Sequence, residues 1–173
     1  MQSKKIDKLF FLIITILFIN TELFASPKEF IAKLTTDASK VLASNEGKDE
    51  KMLQLINLAE ENVDINGIGM YTLGKYRKSL SENQIKEYKT LFRKYFLKSF
   101  SSRLSEYTDP KINVLSEEVI NEKYTIVSSV LEADEKRPEI KIDWRVYTKN
   151  PEKPLVRDLI IEGLSLARTQ REE

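Results

Sequence analysis

The hydrophobic period of this chain changes once, at Asp109-Pro110, and the change restricts the folds open to it. Before the proline, apolar residues recur every three or four positions; after it they alternate. Helices first and strands second make an α+β domain, with the helices packed on one face of an antiparallel sheet. "PKEFIAKLTTDASKVLAS" places Phe30, Ile31, Leu34, Ala38, Val41 and Leu42 on one helical face, and Asn45-Glu46-Gly47 ends it. "KDEKMLQLINLAEENV" repeats the pattern with Met52, Leu55, Ile56, Ala59 and Val63. "DINGIGMYTLGKYRK" is a weaker helix, since each interior glycine costs about 1 kcal/mol. Gly67, Gly69 and Gly74 therefore point to close backbone packing or a bend.

Ser81 and Gln84 form a capping-box signature that opens a long helix. Its stripe is Ile85, Tyr88, Leu91, Phe92, Tyr95, Phe96, Phe100 and Leu104, and Asp109-Pro110 is expected to stop it. So aromatic a stripe suits either plain core or the wall of an apolar cavity. Four strands follow, "KINVLSEEV", "YTIVSSVLEA", "EIKIDWRVYTK" and "PLVRDLIIEG", joined by short turn-like clusters, which predicts a four-stranded antiparallel meander. In the third, Ile140, Ile142, Trp144 and Val146 alternate with Lys141, Asp143, Arg145 and Tyr147, giving one dry and one wet face.

The first segment reads as an address. Lys4, Lys5 and Lys8 precede the apolar run Leu9 to Ile19, and Ala25 suits the position before a cleavage. The run is shorter than the ~20 residues of a membrane span. Residues 1–25 are thus expected to be a signal peptide cut before Ser26, leaving one exported domain over residues 26–173. Removing Lys4, Lys5, Lys8, Asp7 and Glu22 leaves 25 residues of each sign. A neutral chain with interspersed charges lacks the basic stripe of a nucleic-acid binder, and steering to an acidic membrane surface is likewise unsupported.

Histidine and cysteine are both absent, which removes disulfides, thiolate metal sites and the usual zinc ligands. It also decides how to read Gly163-Leu164-Ser165, the skeleton of a hydrolase nucleophile elbow after a strand. A serine nucleophile needs a base beside it, usually histidine. A structural turn is the better reading, with Ser165 capping the helix that follows.

Several stretches together resemble the MlaC family, also called toluene-tolerance proteins, which are periplasmic phospholipid-binding components of a lipid transport system. Within "TLGKYRKSLSENQIKEYKTLFRKYFLKSFSSRLSEY", Leu73, Gly74, Tyr76, Phe92, Tyr95 and Tyr107 match the family pattern. "IKIDWRV" is similar to its strand around an aspartate, and "RDLIIEGLSLARTQREE" to its closing strand, Glu-Gly-x-Ser turn and last helix. Arg77 stands where the family often has a second aromatic. The family continues beyond the "TQREE" position, so the terminal helix is expected to be short or truncated.

The resemblance implies a curved sheet wrapped by helices, as in the nuclear-transport-factor-2 superfold, around an apolar cavity for acyl chains. The cavity residues it suggests are Ile68, Leu73, Tyr76, Phe92, Tyr95, Phe96, Val130, Ile142, Trp144, Val146, Leu159 and Ile161, with Val127 as the alternative to Val130. It further implies a monomeric carrier with no cofactor apart from its lipid cargo. Its partners would be an inner-membrane MCE-domain/ABC transporter complex and an outer-membrane lipoprotein complex, in a system maintaining outer-membrane lipid asymmetry. The chain has no Gly-x-x-x-x-Gly-Lys nucleotide motif, in keeping with a partner that supplies ATP hydrolysis. Two rival readings stand beside it: a small enzyme using Asp143, Asp158, Tyr71 or Tyr147 for proton transfer, and a ligand-free envelope interaction module.

Overall fold

A computed structural model describes residues 26–135 and 137–172. The expected signal peptide, residues 1–25, lies outside the described residues. The order is α1 (Pro27–Ala43), α2 (Lys48–Asn62), α3 (Ile65–Thr72), a 3-10 turn (Gly74–Lys78), α4 (Glu82–Leu104), β1 (Ile112–Asn121), β2 (Tyr124–Leu131), β3 (Ile140–Tyr147), β4 (Leu155–Ile161), β5 (Leu164–Ser165) and α5 (Leu166–Glu172). No described helix is long and apolar enough to cross a membrane.

Side-chain caps fix where the helices begin. Ser26 accepts from the Glu29 amide at 3.2 Å ahead of Pro27, and Asp64 accepts from the Gly67 amide at 2.8 Å. The Ser81–Gln84 box closes in both directions, with both bonds present. Helix α4 ends at Leu104, before the expected stop at Asp109-Pro110; Ser105 caps it, and Asp109 adopts a left-handed φ of 49°. The glycine-rich segment both packs closely and bends. A Cβ on Gly69 would lie 2.7 Å from the Phe92 ring, so α3 and α4 touch where only hydrogen fits. Gly74, at φ +57°, turns the chain out of α3.

The sheet is antiparallel throughout, in the order β1-β2-β3-β4-β5. Five strands replace the expected four. The turn at Glu162-Gly163 has φ of 50° and 82°, the left-handed pair of a tight hairpin, and folds Leu164-Ser165 back onto Ile161 and Ile160. A two-residue strand is too short for alternation to register. Irregularities between Val114 and Ser116, between Val119 and Asn121, and opposite Arg145-Val146 bend the sheet.

The interior is divided in two. Phe30 and Ile31 of α1 pack on Val127, Val146 and Val156, covering one part of the sheet. Ala59, Ile65, Ile68, Phe92, Leu97 and Ala167 form a separate cluster among the helices. Val63 packs against both. Large apolar groups at the margins of the clusters, Phe96 and Phe100 on one and Trp144 and Leu159 on the other, are only half-buried.

Candidate apolar binding face

Cross-strand register sets the apolar face of the sheet. Trp144 lies between Val127 and Leu159, and Ile142 between Ser129 and Ile161. Of the residues expected at the cavity, Ile142, Trp144, Leu159 and Ile161 share this face and are half-buried. Trp144 is held by a polar anchor. Its indole N–H donates to Ser129 Oγ at 2.8 Å, and that hydroxyl donates to the Ile142 carbonyl at 3.1 Å. Ser129 is fully buried, so the bond fixes the ring's orientation without leaving a polar atom unpaired.

Other expected positions fall elsewhere. Val130 pairs with Lys141 and points to the opposite face, while Val127 takes the apolar side at 0% exposure. Both parities of β2 carry aliphatics, Ile126 and Val130 on one, Val127 and Leu131 on the other, so alternation alone could not choose. Val146 is 0% exposed under α1 and belongs to filled core. Ile68 and Phe92 are buried in the helical cluster, and Leu73 is half-buried where α3 ends. Tyr76 and Tyr95 are corrected outright: they are 62% and 56% exposed and line no interior.

The half-buried helical side is an aromatic ladder. Tyr88, Phe92, Phe96 and Phe100, four residues apart, stack successively with centroids 5.8, 6.1 and 5.8 Å apart. Two hollows, about 170 and 100 Å³, are lined chiefly by polar and charged residues around Asp64 and Asp37 respectively. Both fall short of the ~300–1,000 Å³ of small-molecule sites. The apolar margins of the two clusters, rather than either hollow, are the candidate site.

A polar cluster that the sequence did not reveal braces the sheet against α3. Arg157, in the β4 bulge, donates to Asp64 at 2.7 Å and to the Tyr124 hydroxyl at 2.7 Å, and lies 4.3 Å from the Tyr147 ring. Burial acts to lower the Arg157 pKa, but the bond and charge of Asp64, with help from Tyr124, more than offset it, and the net shift is upward. Asp64 before a helix is a legible cap; that it also holds an arginine 93 residues away is not.

The residues of a possible proton-transfer site have other partners. Asp158, 6% exposed, accepts from Ser165 Oγ and from the Ala167 amide; Asp143 accepts from Ser128 at 2.6 Å; Tyr147 lies under Arg157 and Tyr71 under Arg171. Among the described residues there is no metal-ligand cluster. Ser165 also accepts from the Arg168 amide at 3.1 Å, so its hydroxyl ties α5 to β4 and caps the helix. Ser165→Ala is expected to lower stability by about 1–3 kcal/mol, through the lost cap and the under-satisfied Asp158. Urea denaturation measures it. Esterase activity that vanished in this variant alone would contradict the structural role.

A helical layer over an antiparallel sheet, with its interior split into two apolar clusters, defines a small α+β protein whose prominent feature is apolar surface. The chain belongs to the MlaC family, whose model matches residues 30–173. Among solved structures it is similar to the phospholipid-binding protein from Ralstonia solanacearum in complex with a phospholipid. The TM-score is 0.70 at 14% identity, covering 86% of this chain and 84% of that one. No curated protein sequence matches it significantly.

Proposed function

We propose that this protein is a periplasmic phospholipid carrier, the soluble component of an ABC-type lipid transport system that maintains outer-membrane asymmetry. Membership of the MlaC family and the likeness to a phospholipid-bound structure support the class. The observation that carries the reading to this chain is its half-buried apolar side chains: Trp144 and Leu159 at the margin of the sheet cluster, Ile142 and Ile161 beside them on the same face, and Phe96 and Phe100 on α4. Acyl chains between the two clusters would complete their burial. No catalytic step is required of the protein, whose candidate acids and tyrosines serve structural contacts.

Burying a CH₂ is worth about 0.8 kcal/mol, so two acyl chains of ~30 methylenes represent roughly 24 kcal/mol against water. That exceeds the ~18–21 kcal/mol ceiling of non-covalent affinity. Lipid taken from a bilayer leaves an environment where its tails are already dry, so the site needs only to match the bilayer. Direction then comes from partners, proposed as an inner-membrane MCE-domain/ABC complex and an outer-membrane lipoprotein complex. The signal peptide proposed for residues 1–25 would deliver the chain to the compartment between them.

The test is extraction and mass spectrometry of lipid from protein purified natively from the cell envelope. Phospholipid near one molecule per chain, on a polypeptide beginning at Ser26, is the expected result. Protein free of lipid at every step would defeat the carrier reading.

A further inference from the structure

Away from the apolar margins, a second surface gathers where α5 crosses the 3-10 turn. Arg171 lies against the backbone of Gly74, where a Cβ would sit 3.1 Å from its Nε, and its guanidinium is 5.1 Å from the Tyr71 ring. The preceding residue, Gln170, meets the Tyr95 hydroxyl at 3.4 Å. Lys75 stands 5.5 Å over the Tyr76 ring, and Arg77 and Lys78 occupy the same five-residue turn. Four cations, two of them on the turn beside Lys75, and three tyrosines exposed by 44–62% are thus carried by the turn, α5 and the flanking parts of α3 and α4. Neighbouring Arg168 is paired with Glu172 at 2.8 Å. Among the described residues, Lys75, Arg77, Lys78 and Arg171 have no ion-pair partner.

This concentration is local, because the proposed mature chain balances 25 charges of each sign. We propose that the face formed by the Lys75–Lys78 turn and the end of α5 docks the protein on a lipid surface bearing anionic headgroups. Cations beside such a surface each strengthen binding about five-fold. Tyrosine suits the headgroup level, with an apolar ring and a hydrated hydroxyl. An acidic protein fits less well, because lysine is depleted from protein interfaces and this turn would bring two lysines and an arginine to be desolvated together. A bilayer surface leaves them hydrated. The exposure of Tyr76 and Tyr95, unexplained by a cavity role, follows from this one.

The experiment is co-sedimentation of the native processed protein with two vesicle types: phosphatidylcholine alone, and phosphatidylcholine with one-third phosphatidylglycerol. Binding is expected only to the anionic vesicles, and it should disappear at about 1 M salt, where the screening length is about 3 Å. The double variant Arg77→Glu/Lys78→Glu, which removes two cations and adds two anions, should bind at least about twenty-five-fold more weakly. Lys111→Glu/Lys149→Glu makes the same change in net charge at exposed positions outside the face and should stay near the wild type. Equal losses in the two variants, equal binding to neutral vesicles, or no binding to either vesicle would each overturn the proposal; the last would leave the face to another occupant such as an acidic protein. Extracted lipid, measured on the same samples, keeps the two readings apart. The charge variants should retain their cargo, and protein without cargo that still docked would count against the carrier reading alone.

Discussion

Ile142→Lys is expected to leave the protein folded but empty of phospholipid, whereas Val146→Lys, four residues along the same strand, unfolds it. Both side chains point to the apolar face, but their surroundings differ. Val146 is 0% exposed beneath Phe30 and Ile31. An unpaired charge there must be neutralised or desolvated at a cost of several kcal/mol, a large part of the 5–15 kcal/mol that holds a typical domain together. Ile142 is half-buried on the same face, paired with Ile161, and is not among the side chains packed against that cluster. A lysine there can keep its stem on apolar surface and carry its ammonium outward, while occupying the space proposed for an acyl chain. Lys141→Ile, on the opposite face, should keep its lipid. Circular dichroism and lipid extraction read the three variants. An unfolded Ile142→Lys would mean that this part of the sheet is ordinary core, and a folded one with full cargo would remove the residue from the site.

Phe92→Ala is expected to destabilise the protein by about 3–5 kcal/mol, the cost of deleting a buried aromatic side chain. The ring is 9% exposed, is stacked between Tyr88 and Phe96, and lies against the backbone of Gly69. Collapse of α3 onto the vacated space would reduce the loss, but α3 is pinned by its Asp64 cap and by the Thr72–Tyr88 hydroxyl contact at 2.8 Å. Thermal or urea unfolding measures the change. A loss below about 1 kcal/mol would show that the helical cluster is not the stabilising core described here.

The layer order was legible because the change of hydrophobic period at Asp109-Pro110 is a one-dimensional signal of a change in secondary structure. Ser81 and Gln84 announced the start of α4, and the strict alternation of Ile140 to Tyr147 announced which face of β3 is dry. The α4 stripe was read less well. Helical spacing put Tyr95 with Phe92 and Phe96, but a 3.6-residue period does not say how wide the buried arc is, and Tyr95 falls outside it. Tyr76 failed for a related reason, since the left-handed Gly74 turns its segment out of α3. Val130 failed because β2 is aliphatic on both parities. The Arg157–Asp64 brace depends on a bulge and on a contact between distant segments, neither of which leaves a local signal.

The single tryptophan offers the most direct test of where the lipid lies, because it sits on the proposed wall and no other indole competes with its signal. Heavy-atom quenching acts only near contact. When the native protein is loaded with phospholipid brominated in its acyl chains, Trp144 fluorescence is expected to fall strongly relative to the same lipid without bromine. Extraction should show equal loading in the two samples. Equal loading with unchanged fluorescence would place the acyl chains away from the Trp144 face and contradict the account.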